Sequence, residues 1–126
     1  MVGTASGDDK VEKGGLLPAL KTIRVSKDGN TTDVNILDIF IFKPELQRMS
    51  VLTQNVRTKK VYSYIKGAPE KIIGLCEKDS LPKNIDTQVS DYAKKGFRVL
   101  AFATAEVPAD LVTNATREVS EARAQF

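Results

Sequence analysis

The stretch Lys66-Gly67-Ala68-Pro69-Glu70 closes an apolar, aromatic run at residues 61–65 and then breaks the chain with a proline. Lys66 is a point charge able to reach a phosphate. Gly67 has no Cβ, so backbone or ligand can approach it closely. Pro69 suits the first position of a helix, where its missing N–H costs nothing, and a helix start offers unpaired N–H groups to an anion. The stretch therefore reads as an anion or nucleotide contact at a strand-to-helix turn. From spacing alone the plainer account, a solvated lysine ahead of an ordinary turn, is favoured.

Other chemistries are poorly served. The sequence contains neither G-x-x-x-x-G-K-[ST] nor G-x-G-x-x-G, so P-loop and dinucleotide-binding readings fail. It has no histidine, which removes Ser/His/Asp and Cys/His nucleophile arrangements. A single cysteine, Cys76, rules out an internal disulfide framework, fits a reducing compartment and argues against zinc. Carboxylates are numerous but scattered on polar faces, so a two-carboxylate hydrolase is not indicated. A net charge of +3 mildly favours an anionic partner without naming one. Two Asn-x-Thr triplets, at Asn30 and Asn114, read as coincidental.

Elements must hold any such contact in place. The chain has 126 residues, 41% of them hydrophobic and 28% charged, which fits one soluble globular domain. No run reaches the length of a transmembrane helix, and the start has no apolar core of a signal peptide. Residues 1–15 are Gly/Ser/Asp/Lys-rich and are expected to be a flexible lead-in or linker, with the folded domain over 16–126. A short strand should end at the turn signal Asp28-Gly29-Asn30. Residues 33–42 suit a central strand buried on both faces, with Phe40 in the core and Pro44 ending it. Residues 48–56 and 59–67 should pair around a polar turn, with Tyr62, Tyr64 and Lys66 on one face.

A helix is expected from Pro69, with Ile72, Ile73, Leu75 and Cys76 on its apolar side. A second should span about 85–95, using Ile85, Val89, Tyr92 and Ala93, with Gly96 just past its end. A strand over 97–105 would put Phe97 inside and Arg98 opposite it. Residues 107–126 should form a weakly structured exit segment, with a helical turn near 116–124. The order predicts an α+β fold: an antiparallel, twisted, multi-stranded sheet with helices packed on it.

Three stretches taken in order, 42–51 (FKPELQRMSV), 66–76 (KGAPEKIIGLC) and 96–103 (GFRVLAFA), resemble the nucleotide-binding (N) domain of P-type ATPases. "LQRMSV", the "LC" after "KGAPE", the "SLP" beyond it and "YAKKGFRVLAFA" look most like the type-five subclass, within its polyamine-exporting endolysosomal branch. The resemblance covers about half the chain and implies ATP as the ligand. Phe42 matches the aromatic that stacks on adenine, where stacking supplies affinity without strict base readout; a core phenylalanine is its competing reading. Lys66 matches the lysine lining the adenine pocket, Gly67 the glycine beside the nucleotide, and Arg98 the arginine that pairs with phosphate. Gln47 stands where ion pumps commonly carry lysine and type-five members carry glutamine; it can bond the base edge without charge. Arg48 supplies charge nearby or faces water. Met49 packs against adenine or, preferably, in the core. Pro44 replaces the small polar residue usual after the aromatic.

The phosphorylated-aspartate motif "DKTGT", the magnesium-binding "GDGxND" and a membrane span are absent from this sequence. The resemblance thus implies a cytosolic, monomeric module of an endosomal or lysosomal membrane pump. It would bind ATP without catalysing its hydrolysis, hold no magnesium ligands, and serve phosphorylation and transmembrane domains of a parent chain. "REVSEARAQF" resembles the return to the phosphorylation domain. The alternative is a small basic α+β module for RNA or a protein partner, with Tyr62 and Tyr64 stacking bases and "NVRTKK" supplying charge. Its charge is diffuse and the aromatic signature of an RNA-recognition motif is absent.

Overall fold

The computed structural model describes residues 15–108 and 110–112. Five strands form one antiparallel sheet in sequence order: β1 (Lys21–Lys27), β2 (Asn30–Lys43), β3 (Arg48–Asn55), β4 (Val61–Gly67) and β5 (Ala101–Val107). Between β4 and β5 come α1 (Pro69–Leu75), a 3-10 turn (Lys78–Ser80) and α2 (Ile85–Lys94). This is the expected α+β architecture. The helical turn expected near 116–124 lies outside the described residues.

Local chemistry accounts for the turns. Lys27 pairs with Asn30, and between them Asp28 and Gly29 both have positive φ, 52° and 78°. That is the primed two-residue turn whose twist matches an antiparallel hairpin. The β2–β3 and β3–β4 loops share another solution. The Lys43 carbonyl accepts the N–H groups of Leu46 (3.0 Å) and Gln47 (2.8 Å), and Gln47 is left-handed at φ 54°. The Asn55 carbonyl accepts the N–H of Lys59, also left-handed at φ 62°. Pro44 follows Lys43 in the first of these turns, where its fixed φ is favoured. The Asn55 side chain accepts the N–H groups of Arg57 and Thr58 in the second.

Pro69 opens α1 as expected, with Glu70 in its first turn. The end of α2 is a Schellman motif. The N–H of Phe97 reaches the Tyr92 carbonyl, the N–H of Gly96 reaches that of Ala93, and Gly96 takes φ 86°. The rings of Tyr92 and Phe97 meet edge to face at 5.9 Å, the apolar contact that accompanies such an ending.

The chain divides into two compact units, each drawing part of β2 to β5. The first takes in the chain up to Asp38, Leu52–Ser63 and the stretch from Ala105 onward. Its core joins Leu37, Val61 and Val112 with Leu17, Leu52 and Val107 around them. Gln54, only 2% exposed, ties the entering chain down: its Oε1 accepts the N–H of Leu17, and its Nε2 donates to the carbonyls of Gly15 and Lys59. The second unit comprises Ile39–Val51 and Tyr64–Thr104. There Ile72 is almost fully withdrawn from solvent, at 1% exposed.

Several expectations about burial are corrected. β2 is buried only over 35–38, and from Ile39 onward it is exposed; Phe40 is 48% exposed and is no core residue. No described layer covers that half of the strand, so its apolar character alone did not place it inside. Leu75, Tyr92 and Ala93 are exposed, because the short helices α1 and α2 bury narrower stripes than their sequences offer. β5 begins at Ala101 rather than at 97. The Schellman ending consumes the backbone of Phe97, whose ring packs on Tyr92 at the surface and not inside.

Candidate functional site

The six residues singled out by sequence all belong to the second unit. Phe42 stands near the exposed end of β2, 54% accessible. Gln47 closes the β2–β3 loop, and Arg48, half-buried, opens β3. Lys66, exposed, and Gly67, buried, end β4. Arg98 is exposed in the stretch between α2 and β5.

Four of the six form one structural feature. The Gln47 carbonyl accepts the N–H of Ala68 at 3.0 Å, which ties the β2–β3 loop to the turn after β4. A Cβ on Gly67 would collide with the Gln47 carbonyl oxygen and lie 2.9 Å from Cα and Cβ of Arg48. The missing side chain of Gly67 is therefore used by protein backbone: it lets the loop bearing Gln47 and Arg48 close on the KGA turn. Lys66 is carried beside this junction. Among the described residues, none of Arg48, Lys66 and Arg98 is engaged in an ion pair. No contact among the described residues draws Phe42 or Arg98 into the junction itself.

An open hollow of about 430 Å³ lies on neighbouring strands, within the range of small-molecule sites. Its walls are residues 49–51 of β3, 64–66 of β4 and 102–104 of β5. Of the six sequence-derived residues, Lys66 is the one that lines it. The strand alternation puts Tyr64 with Lys66, and Phe102 with Thr104, as i, i+2 pairs. These are the exposed members of their trios, whereas Ile65 and Ala103 are half-buried. Met49, expected against the adenine or preferably in the core, is half-buried and lines this hollow. The lining is thus mainly apolar and aromatic with one cation, a combination suited to a planar ring carrying a negative group.

Nothing in the sequence reading marks Phe102 as a wall residue, and it offers Tyr64 only as a base-stacker for RNA. The available signal was the pairing of Tyr64 with Lys66 on one strand face; nothing local brought β5 beside it. A second groove, about 420 Å³, lies between α1, α2 and residues 99–104, with Cys76 in its wall. The described residues hold no cluster of three metal-ligating side chains. None of their helices is long and apolar enough to cross a membrane.

Residues 9–125 match the family model described as "P-type ATPase, cytoplasmic domain N". The chain is 36% identical over 90 residues to human "Polyamine-transporting ATPase 13A3", covering 71% of this chain and 7% of that protein. It is 30% identical over 111 residues to "Cation-transporting ATPase 5" of Schizosaccharomyces pombe, covering 86% and 10%. Against human "Probable cation-transporting ATPase 13A4" it is 33% identical over 121 residues, covering 92% and 10%. The chain therefore spans a tenth or less of these relatives' length. With the family model matched along nearly its whole length and type-five transporters among its relatives, the chain belongs to the P-type ATPase cytoplasmic N-domain family.

Proposed function

We propose that this chain binds ATP for a cation-transporting P-type ATPase and presents the γ-phosphate to an aspartate on another domain of the parent protein. The observation that carries the reading is the apolar hollow with Lys66 in its wall, beside the Gln47–Ala68 junction. Phe42, Gln47, Arg48, Lys66, Gly67 and Arg98 are the assigned nucleotide-binding set. The hollow offers its surface to the base. Arg48, Lys66 and Arg98, in no ion pair among the described residues, would meet the polyphosphate. Gly67 acts through the loop it admits.

Phosphoryl transfer needs a nucleophile and metal to offset charge on the transferring group. The sequence has neither the "DKTGT" nor the "GDGxND" motif, so this chain's contribution is binding and orientation. Magnesium belongs to the parent enzyme's chemistry. Delivery of the phosphate would come from hinge closure onto the phosphorylation domain. The parent is proposed to be an integral membrane pump of endosomal or lysosomal membranes moving polyamines or related cations, with this module on the cytosolic side.

NMR-monitored titration with ATP and GTP tests the reading. Amides of Phe42, Lys66, Gly67 and Arg98 should shift with ATP, with a dissociation constant in the high-micromolar to millimolar range, about −4 to −6 kcal/mol. Shifts confined to residues 77–84 or the termini would defeat it. Steep salt dependence of binding to single-stranded RNA would favour the alternative binding module.

A further inference from the structure

We propose that Tyr64 and Phe102 are base-contacting walls of this site, holding the nucleobase over the sheet face between β4 and β5. The inference rests on the nucleotide reading above and adds residues to it. Both side chains line the same hollow from neighbouring strands. Phe102 is 73% exposed and Tyr64 49% exposed, so each residue offers solvent-accessible surface to the hollow. An aromatic face stacks on any base, because every base has a π-face. Met49 and Val51 of β3 extend the apolar surface.

Lys66 sets the polarity of the seat. It follows Tyr64 by two residues on the same strand face, about 7 Å along the strand. That step is close to the reach from a purine ring across its ribose to the first phosphate. A base against Tyr64 and Phe102 would therefore carry its phosphates past Lys66 toward the Gln47–Ala68 junction. The reverse placement would put a polyanion against an apolar lining, where charge is poorly solvated. The walls contribute stacking rather than edge recognition, so ATP and GTP should differ modestly in affinity.

The test is titration of the isolated chain with ATP, adenosine and inorganic triphosphate, followed by NMR. ATP and adenosine should both shift the Tyr64 and Phe102 resonances, and adenine ring protons should show intermolecular contacts to both side chains. Phe102→Ala and Tyr64→Leu should each weaken ATP binding about five- to fiftyfold, while Tyr64→Phe, which keeps the ring, should restore it. If ATP shifts Phe42 and Lys66 but shows no contact to either wall, and the ring-removing variants bind normally, the wall assignment is wrong and the nucleotide reading survives. Binding of triphosphate without adenosine would also overturn the wall assignment. If neither ATP nor adenosine binds at millimolar concentration, both readings fall. The direct contacts are read on the unsubstituted chain, so a variant that fails to fold does not decide the matter.

Discussion

The carbonyl oxygen of Gln47 occupies the space that a side chain on Gly67 would need, and the same oxygen holds the N–H of Ala68 at 3.0 Å. Gly67→Ala must therefore push backbone rather than a flexible side-chain end. It should destabilise the chain by about 1–3 kcal/mol and separate the β2–β3 loop from the KGA turn. Urea unfolding measures the first effect, and the Ala68 amide, losing its acceptor, should exchange faster with solvent. A variant as stable as the parent with a protected Ala68 amide would contradict the close approach.

Gly96 provides a contrast. A Cβ there would meet nothing within 4 Å, yet its φ is 86°. Gly96→Ala should cost about 1–2 kcal/mol through left-handed backbone alone. Gly96→Asn should recover part of that, because asparagine tolerates this region. Thermal or urea unfolding of the pair distinguishes conformational cost from collision.

Lys66→Met keeps the apolar stem and removes the charge from the hollow's wall. The side chain is exposed, so stability should hardly change. ATP affinity should fall about three- to tenfold, adenosine affinity should not, and the salt dependence of ATP binding should flatten. Calorimetric or NMR titration at two ionic strengths reads all three. Equal losses for ATP and adenosine would mean that Lys66 acts by packing.

Gln54→Ala removes three part-buried hydrogen bonds at once, taking a partner from the N–H of Leu17 and from two carbonyls. The expected loss is about 1–3 kcal/mol, with faster hydrogen exchange at Leu17. Since Gln54 and the ATP-binding candidates belong to different units, nucleotide affinity in the folded fraction should be retained.

Asp33 accepts hydrogen bonds from Arg24 Nε at 2.8 Å and Nη2 at 3.3 Å. That hydrogen bonding, opposed by desolvation and aided by the guanidinium charge, holds its carboxyl below the ordinary value of 3.8. A lowered folded-state pKa means a contribution present above pH 3.8 and lost as pH falls through the folded value. Asp33→Asn should lower stability slightly above about pH 4, where the contribution is present, and match the unsubstituted chain at lower pH, so that its acid limb is shallower; the difference is small because the pair is exposed. Urea midpoints from pH 2 to 7 would check this; parallel curves for the two proteins would refute it.

Much of the frame was legible because it depends on neighbours in the chain. Asp28-Gly29 carries its own left-handed preference and so announces the first hairpin. Pro69 and Gly96 mark a helix start and a helix end for equally local reasons. The "KGAPE" turn and its family were readable as residue types in order. Alternation correctly grouped Tyr64 with Lys66, since a strand's period is two whatever lies beside it.

What alternation leaves open is whether a face is covered, and by what. That is why Phe40 and Leu75 were expected inside and stand exposed. The role of Gly67 likewise depends on a carbonyl twenty residues earlier in the chain. Phe102 joins Tyr64 around one hollow only because β5 returns beside β4 after two helices. Residue order determined the turns, the strand faces and the family. The folding of distant strands into adjacency decided the hollow, because close contact between side chains far apart in sequence has no local cause.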